Sequence, residues 1–453
     1  MASINFLLDT FRQYADQDAI VWRNTAYKYQ WLFQRTRYWR DVIRAKQINK
    51  GTITVLEADF SPNSIALFIA LIEAGCVLVP LTPAVSASRC ELIEIAEGEV
   101  CFSSDEEDNI SIKQLNRSAT HKLYKQLRSL GHPGLVTFSS GSTGRSKAAV
   151  HNMTCLLDKY KTPRHRLRTI SFLLFNHLGG INTMLYTLSN GGCLIVVPDR
   201  SPDSVLRTVE YHQAQLLPTT PTFINLILIS QAYKRYKLDS LEMVTYGTEP
   251  MLESTLRSFH RLFPQIRLVQ TYGLSEVGVL HSKSKASDSL WVKIGGEGFE
   301  TRVVDGLLHI KAHSAMLGYL NAPNPFTEDG WLNTKDQVEV DGDYVRIIGR
   351  ASSIINVGGK KVYPVEVESI IQELDNVAEV AVYGEKNAIL GNIVCARVTL
   401  IENEPHKLFT ARLKHFCRQR LVSYKVPVKV TISSNLHHSV RLKKVRETDT
   451  SII

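Results

Sequence analysis

Thr137-Phe138-Ser139-Ser140-Gly141-Ser142-Thr143-Gly144-Arg145-Ser146-Lys147 is the stretch on which the reading of this chain turns. The apolar pair Leu135-Val136 leads into it and predicts a strand, so the stretch predicts a hydroxyl- and glycine-rich loop at a strand end. Glycine lets the backbone come close to a ligand, and free N–H groups and hydroxyls then donate to phosphate oxygens. Lys147 adds a mobile point charge. The ligand this composition calls for is a triphosphate. The pattern is not the usual P-loop, because Gly141 and Gly144 lie three apart and no Gly-Lys-Ser/Thr follows.

Outward from the loop, strands and helices alternate. Upstream, residues 28–46 predict an amphipathic helix with Leu32, Phe33, Trp39, Val42 and Ile43 toward a core. Residues 52–56 predict a buried strand, 62–75 a helix entered at Pro62 and stopped at Gly75, and 77–79 the next strand. Such a β-α-β unit implies a parallel sheet. The polar stretch 103–130, with Asp105-Glu106-Glu107-Asp108, reads as a surface connection whose acidic run is solvated. Downstream, strands near 169–174, 194–197, 215–217, 243–246 and 267–270 alternate with helices, the pattern of a doubly wound sheet. Ligands of such sheets sit at the strand C-terminal ends. Gly247-Thr248-Glu249-Pro250 and Thr271-Tyr272-Gly273-Leu274-Ser275-Glu276 follow two of these strands directly. From about 290 to 348, short β pieces split by Asp305-Gly306 and Asp341-Gly342 predict a small antiparallel subdomain. The remaining hundred or so residues suffice for a compact α+β lid.

With 453 residues, 44% apolar and 21% charged, the chain reads as a globular protein of two or three domains. A formal charge of +9 without a long basic run argues against nucleic acid and suits an anionic ligand. Seven cysteines without a CxxC predict reduced thiols and a cytoplasmic protein. The start lacks a basic n-region, and the longest apolar run, 65–81, is interrupted by Glu73, Gly75 and Pro80, so neither a signal peptide nor a membrane span is expected.

The loop and the segments that follow it resemble the adenylate-forming superfamily, and the acyl-CoA synthetases in particular. Ser146 departs from it where proline is common. The resemblance implies an α/β fold: a large multi-lobed N-terminal domain, 1–350, with doubly wound sheets and a small β subdomain, and a mobile C-terminal lid, 351–453. It implies an ATP-dependent carboxylic acid–thiol ligase that forms an acyl-AMP, with Mg²⁺ and with coenzyme A as the default acceptor. Ser139, Ser140, Gly141, Ser142, Thr143, Gly144 and Lys147 would clamp the phosphates. Glu276 would hold Mg²⁺, a hard cation that needs only one or two carboxylates beside phosphate oxygens and water. Tyr272 would stack on adenine, flanked by Thr271, Gly273 and Ser275, while Gly247, Thr248 and Glu249 line the nucleotide's other side. Asp336 would meet the ribose, its carboxylate accepting from both hydroxyls, and Arg350 would reach the ribose or a phosphate. His177 falls beside the expected acyl pocket, either positioning the carboxylate or gating the pocket, or else as a structural histidine, and His151 is family-like but given no chemistry.

The resemblance continues through the lid. Ser352 stands at the family's hinge, where Asp or Lys is usual. Val357-Gly358-Gly359-Lys360-Lys361-Val362-Tyr363-Pro364-Val365-Glu366-Val367-Glu368 resembles the segment where the thiol arm passes close to two glycines. Aligning Leu436 and Arg446 with the family's terminal motif puts its lysine at Lys443, with Lys444 as the fallback. His437 and Leu442 replace the motif's proline and glycine.

Two alternatives stand beside this reading. The acceptor could be the phosphopantetheine of a carrier protein, met by Lys360, Lys361 and Lys407, or the chain could be a non-catalytic binder of the same fold. Acid specificity is expected from 175–182, 220–225 and 246–251. Phe175, Phe223 and Tyr246 there favour an aryl or medium-length acyl acid over an amino acid. A monomer or homodimer is expected.

Overall fold

The alternating strands and helices build two mainly parallel sheets. In the computed structural model, residues 4–83, 88–140 and 146–433 are described. In one sheet Val100–Ser104, Ile53–Glu57, Val77–Leu81 and Gly134–Ser140 run parallel side by side. Antiparallel strands form its edges: Ile110–Gln114 on one side, Ser146–Asn152 and then Gly318–Tyr319 on the other. In the other sheet six strands run parallel, in the order Arg267–Gln270, Met243–Tyr246, Leu216–Thr219, Arg168–Ile170, Cys193–Ile195 and Asp18–Trp22. Thr25–Lys28 is its antiparallel edge.

The helix Pro62–Glu73 ties the sheets together. Ser61 starts it: its hydroxyl accepts from the Ser64 amide, the Ser64 hydroxyl accepts from the Ser61 amide, and Pro62 opens the first turn. Every residue from Pro62 to Ile72 is buried, as expected of a helix apolar on all faces. Leu56, Leu78 and Leu135 of the first sheet and Ile20 and Leu194 of the second belong to the same apolar cluster as this helix. The cavity cost of trimming such a side chain is about 2–5 kcal/mol, so this shared core fixes the two sheets against each other.

The expectation for 103–130 is corrected. The stretch is not a bare surface connection: it carries the strand Ile110–Gln114 and the helix Lys122–Leu130, whose Leu123, Tyr124 and Leu127 are buried. Asp108 is buried too. Its carboxylate accepts from the Ser61 hydroxyl and, at 2.8 Å, from the Asn63 amide, at the start of the buried helix, where a negative charge complements the exposed N–H groups. Asp105, Glu106 and Glu107 are exposed as expected of a solvated run, and Asp105 bonds Asn109 at the surface. High polarity hid a helix that buries only one narrow face.

The predicted antiparallel subdomain is a six-stranded sheet in the order Ser282–Ser284, Trp291–Ile294, Tyr344–Arg350, Leu332–Asp341, Leu307–Ala312 and Phe299–Val304. Asp305 and Gly306 join its last two strands with φ of +52° and +75°, the left-handed pair that two-residue hairpins require. The C-terminal part has its own sheet, ordered Lys360–Val362, Ile355–Val357, Gly391–Leu400 and Val377–Asn387, with Lys429–Ile432 parallel to Gly391–Leu400. The helices Pro364–Gln372 and His406–Arg418 pack on it around Val367, Ile371, Val398, Phe409 and Leu413. Among the described residues no helix is long and apolar enough to cross a membrane.

Candidate functional site

The strands on either side of the glycine-rich stretch pair with each other. Gly134–Ser140 and Ser146–Asn152 pair antiparallel, with Ser139 opposite Lys147 and Ser140 opposite Ser146. The loop expected over 137–147 is therefore shorter: its first four and last two residues are ladder residues, and Thr137 and Phe138 are buried. Hydroxyl-rich strand ends look like loops by composition. Gly141, Ser142, Thr143 and Gly144 lie outside the described residues, as do Lys443 and Lys444. Asn321 braces the second strand, its amide nitrogen donating to Ser146 O at 2.8 Å and its oxygen accepting from Ala148 N at 3.0 Å.

Beside that strand lies Tyr319, which the sequence did not single out. Lys147 Nζ stands 5.5 Å from the Tyr319 ring centroid, and the Tyr319 hydroxyl donates to Glu276 Oε1 at 2.5 Å. Burial and the neighbouring Glu276 carboxylate push the Tyr319 hydroxyl far above the ordinary phenol range, so it stays a proton donor. Glu276 sits in the turn between the paired strands Tyr272–Leu274 and Gly278–Leu280, and its carbonyl accepts from Met316 N at 2.7 Å. A signal for Tyr319 was present: Gly318-Tyr319 is a short apolar-flanked pair, but nothing in the chain order places it beside Lys147.

Asp336 forms the other half of the cluster. Its Oδ2 accepts from the Tyr272 hydroxyl at 2.5 Å, and Arg350 Nε lies 2.8 Å from its Oδ1. Arg350 also donates to Thr334 O at 3.1 Å. Burial raises the Asp336 carboxyl above its ordinary range, and the charge of Glu276 adds to this; Arg350 and Tyr272 pull the other way. The Arg350 charge reaches Tyr319 as well, so the two carboxylates and the guanidinium share one field. Tyr272 is only 7% exposed. What it visibly contributes is the hydroxyl that orients Asp336, where a stacking face was expected.

At the ends of the second sheet, Thr271 closes on the neighbouring strand, its amide and hydroxyl donating to Tyr246 O at 2.7 and 3.1 Å. A Cβ on Gly247 would lie 2.6 Å from the Thr271 carbonyl oxygen, so only glycine fits there. Thr248 takes the left-handed conformation, φ +74°. Glu249 Oε1 accepts from Thr222 N at 2.8 Å, at the N-terminus of the helix Pro221–Ser230. Gly273 and Ser275 lie on the Tyr272–Glu276 segment between these strand ends and Glu276.

His177 precedes the helix Leu178–Ser189 and its carbonyl accepts from Ile181 N at 3.0 Å. The three aromatic rings expected around the acid are core residues instead. Phe175, Phe223 and Tyr246 are fully buried; Phe175 packs on Phe60 and Phe68 at 4.8 and 5.5 Å between ring centroids, and Phe223 on Phe172 at 4.3 Å. Tyr246 ends the strand Met243–Tyr246 and Phe223 lies in the first turn of the helix Pro221–Ser230, and their inward orientation is not revealed by sequence position alone. His151, on the strand Ser146–Asn152, is fully buried, and burial lowers it to about 4, so it is neutral.

Gly358 and Gly359 form the two-residue turn between Ile355–Val357 and Lys360–Val362, with φ of +55° and +82°. Gly358 N donates to Leu390 O at 2.8 Å, so the contacts that hold the turn lie within the C-terminal sheet. The following helix begins at Pro364; buried Glu368 accepts from Val382 N at 3.0 Å and Glu366 pairs with Lys425 at 2.6 Å. Ser352 lies in the short 3₁₀ turn Ala351–Ser353 directly after Arg350.

Among the described residues no group of three or more potential metal ligands is found. A hard divalent cation that brings its own phosphate oxygens and waters does not need one, and the partly exposed Glu276 carboxylate, bonded to Tyr319, fits it.

The family model described as AMP-binding enzyme matches residues 7–320, and the one described as AMP-binding enzyme C-terminal domain matches residues 366–441. The chain belongs to the AMP-binding enzyme family. Within it, its likenesses are of the adenylate-forming, acyl-CoA synthetase type. This AMP-binding protein is 27% identical over 345 residues to indoleacetate–CoA ligase of Aromatoleum aromaticum, covering 70% of this chain and 66% of that one. It is 25% identical over 422 residues to 4-coumarate–CoA ligase-like 9 of Arabidopsis thaliana, covering 81% and 74%. With the long-chain-fatty-acid–CoA ligase of Bacillus subtilis it shares 26% over 322 residues, covering 65% and 57%. The chain thus spans between somewhat over half and three quarters of the length of these curated relatives. Its fold is that of the anthranilate CoA ligase AuaEII in complex with anthranoyl-AMP (TM-score 0.82, 17% identity, 98% of this chain and 95% of that one). It is likewise that of the o-succinylbenzoate CoA synthetase of Bacillus subtilis (TM-score 0.76, 18% identity, 99% and 98%).

Proposed function

We propose that this AMP-binding enzyme is an ATP-dependent acid–thiol ligase. The observation that carries the reading is a pair of trios, Lys147–Tyr319–Glu276 and Tyr272–Asp336–Arg350, whose charges act on one another beside the strand Ser146–Asn152. A carboxylate oxygen of the acid attacks the α-phosphorus of ATP, the bond to the β-phosphate breaks, and pyrophosphate leaves. A thiolate sulfur then attacks the acyl carbon of the adenylate, and AMP leaves. Both steps depend on position and on charge neutralisation more than on covalent help.

Each residue takes one task. Ser139, Ser140, Ser142, Thr143 and Lys147 bind the β- and γ-phosphates. Asp336, oriented by Tyr272 and Arg350, accepts from the ribose hydroxyls. Glu276, oriented by Tyr319, holds Mg²⁺. Bound there, Mg²⁺ supplies positive charge to the phosphate oxygens. Gly247, Thr248, Glu249, Thr271, Gly273 and Ser275 shape the nucleotide's walls. His177 positions the acid at the start of its helix. Residues 351–453 act as the lid, turning at Ser352, to bring Lys443, with Lys444 as the fallback, to the first step and the Gly358-Gly359 turn to the second. Coenzyme A is the acceptor in this reading, with a carrier protein's phosphopantetheine as the alternative.

Acid-dependent ATP–pyrophosphate exchange over a panel of aryl, medium-chain and amino acids tests the reading. Exchange with at least one acid, strongly reduced in Lys443→Ala or in Lys444→Ala, is expected. No exchange with any acid would leave a binding protein of the same fold. Turnover with free coenzyme A against carrier proteins separates the two acceptors.

A further inference from the structure

Behind Glu276 lies a lysine that this chemistry does not use. The helix Leu178–Ser189 and the hairpin strand Gly278–Leu280 wall a cavity, and Lys159 projects into it from the segment after the strand Ser146–Asn152. Lys159 Nζ donates to Asn182 Oδ1 at 2.5 Å and to Val279 O at 2.9 Å. Tyr160 donates to the same Asn182 oxygen at 2.9 Å, and Lys159 Nζ lies 5.0 Å from the Tyr160 ring centroid. The rest of the lining is apolar, with Leu156, Ile181 and Leu185 among it.

Two features set this lysine apart. An ammonium has three donors, and two are used. Its charged surroundings are also basic: Arg164 acts on it, and His281, 3.4 Å from Arg164, feels both cations. Asp158 is engaged by Lys161 and His313, and Glu297 acts on His281. Among the described residues the enclosed ammonium has no carboxylate in contact, although the residue as a whole keeps some exposure, and burial lowers it to about 7. A buried cation without a counter-ion is costly unless a ligand brings one.

We infer that Lys159 closes the far end of the acid-binding pocket and recognises a second oxyanion on the substrate, so that the acid is a compact dicarboxylate. The inference rests on the ligase reading above and names its substrate class. The wall shared with Glu276 gives the direction: the Glu276 turn joins the very hairpin whose second strand faces Lys159. The helix gives the length: from His177, beside the reacting carboxyl, to Asn182 is about 7.5 Å at about 1.5 Å rise per residue. The cavity that Lys159 helps to line, about 10 Å³, admits one water-sized group. An oxygen fits it, and a hydrocarbon tail does not.

Matched acids test this. Adipate against hexanoate, and terephthalate against benzoate, are compared in pyrophosphate exchange with wild type, Lys159→Met and Lys159→Arg. A charge-assisted hydrogen bond predicts a preference of about tenfold or more in kcat/KM for the diacid. Lys159→Met removes that preference, mostly through KM, and raises thermal stability, while Lys159→Arg retains part of it. Diacid binding is measured in parallel by thermal shift, which needs no turnover. Diacid-specific stabilisation that is lost in folded Lys159→Met supports the inference even if exchange fails and the ligase reading falls. Equal handling of diacids and monoacids by wild type, or an unchanged preference in Lys159→Met, overturns it.

Discussion

Tyr319→Phe removes one oxygen and tests whether Glu276 is held in place from the side. The ring stays, so the Lys147 contact at 5.5 Å survives, worth about 0.5–1 kcal/mol at a partly exposed site. What goes is the 2.5 Å hydrogen bond to Glu276 Oε1. Hydrogen bonds to charged groups contribute about 1.5–3 kcal/mol, and the partial exposure of Glu276 lets water replace some of that, so the lower end, about 1.5 kcal/mol, applies. At about 1.4 kcal/mol per tenfold, kcat/KM for ATP should fall about tenfold. The loss should appear as a raised Mg²⁺ requirement, because a carboxylate free to rotate binds a cation less well. Pyrophosphate exchange titrated with Mg²⁺ at fixed ATP reads this directly, and saturating Mg²⁺ should recover most of the rate. Since Tyr319 stays protonated, the defect should not vary between pH 6 and 9. A change of less than about twofold, or a defect indifferent to Mg²⁺, would refute the positioning role.

Other outcomes follow from the same geometry. Asp336→Asn should cost less than about 1 kcal/mol of stability, because its ion-pair partner Arg350 is half exposed; Asp336→Ala should cost about 1–3 kcal/mol more, because it strands the buried Tyr272 hydroxyl. Denaturant melts check the order, and titration with a fluorescent ATP analogue should show weakened binding in both. His151 titrates near 4 in the folded chain and 6.5 when free, so the unfolded state takes the proton first and stability falls as pH drops from 6.5 to 4, by about 3 kcal/mol in all. His151→Gln should flatten that part of the pH–stability curve, and an unchanged slope would show that other groups carry it. Alanine at both Gly358 and Gly359 forces two side chains into the left-handed region at about 1–2 kcal/mol each. Single-turnover thioester formation should slow while acid-dependent pyrophosphate exchange continues; loss of both together would count against a thiol-specific role.

The sequence by itself determined the alternation of strands and helices, because period-2 and period-3.6 apolar patterns are local. It also determined that Pro62 opens a buried helix, since proline's fixed φ acts within one or two residues. Only the tertiary structure decided that Tyr319 and Lys147 adjoin, far apart in the chain but neighbours across one strand pair. It likewise decided that Asp108 is a buried helix cap where a solvated acid was read, that Phe175, Phe223 and Tyr246 are core, and that Lys159 is an enclosed cation. A side chain's charge partners and its share of water are set by what packs against it from elsewhere in the chain, and no local pattern of residues encodes that.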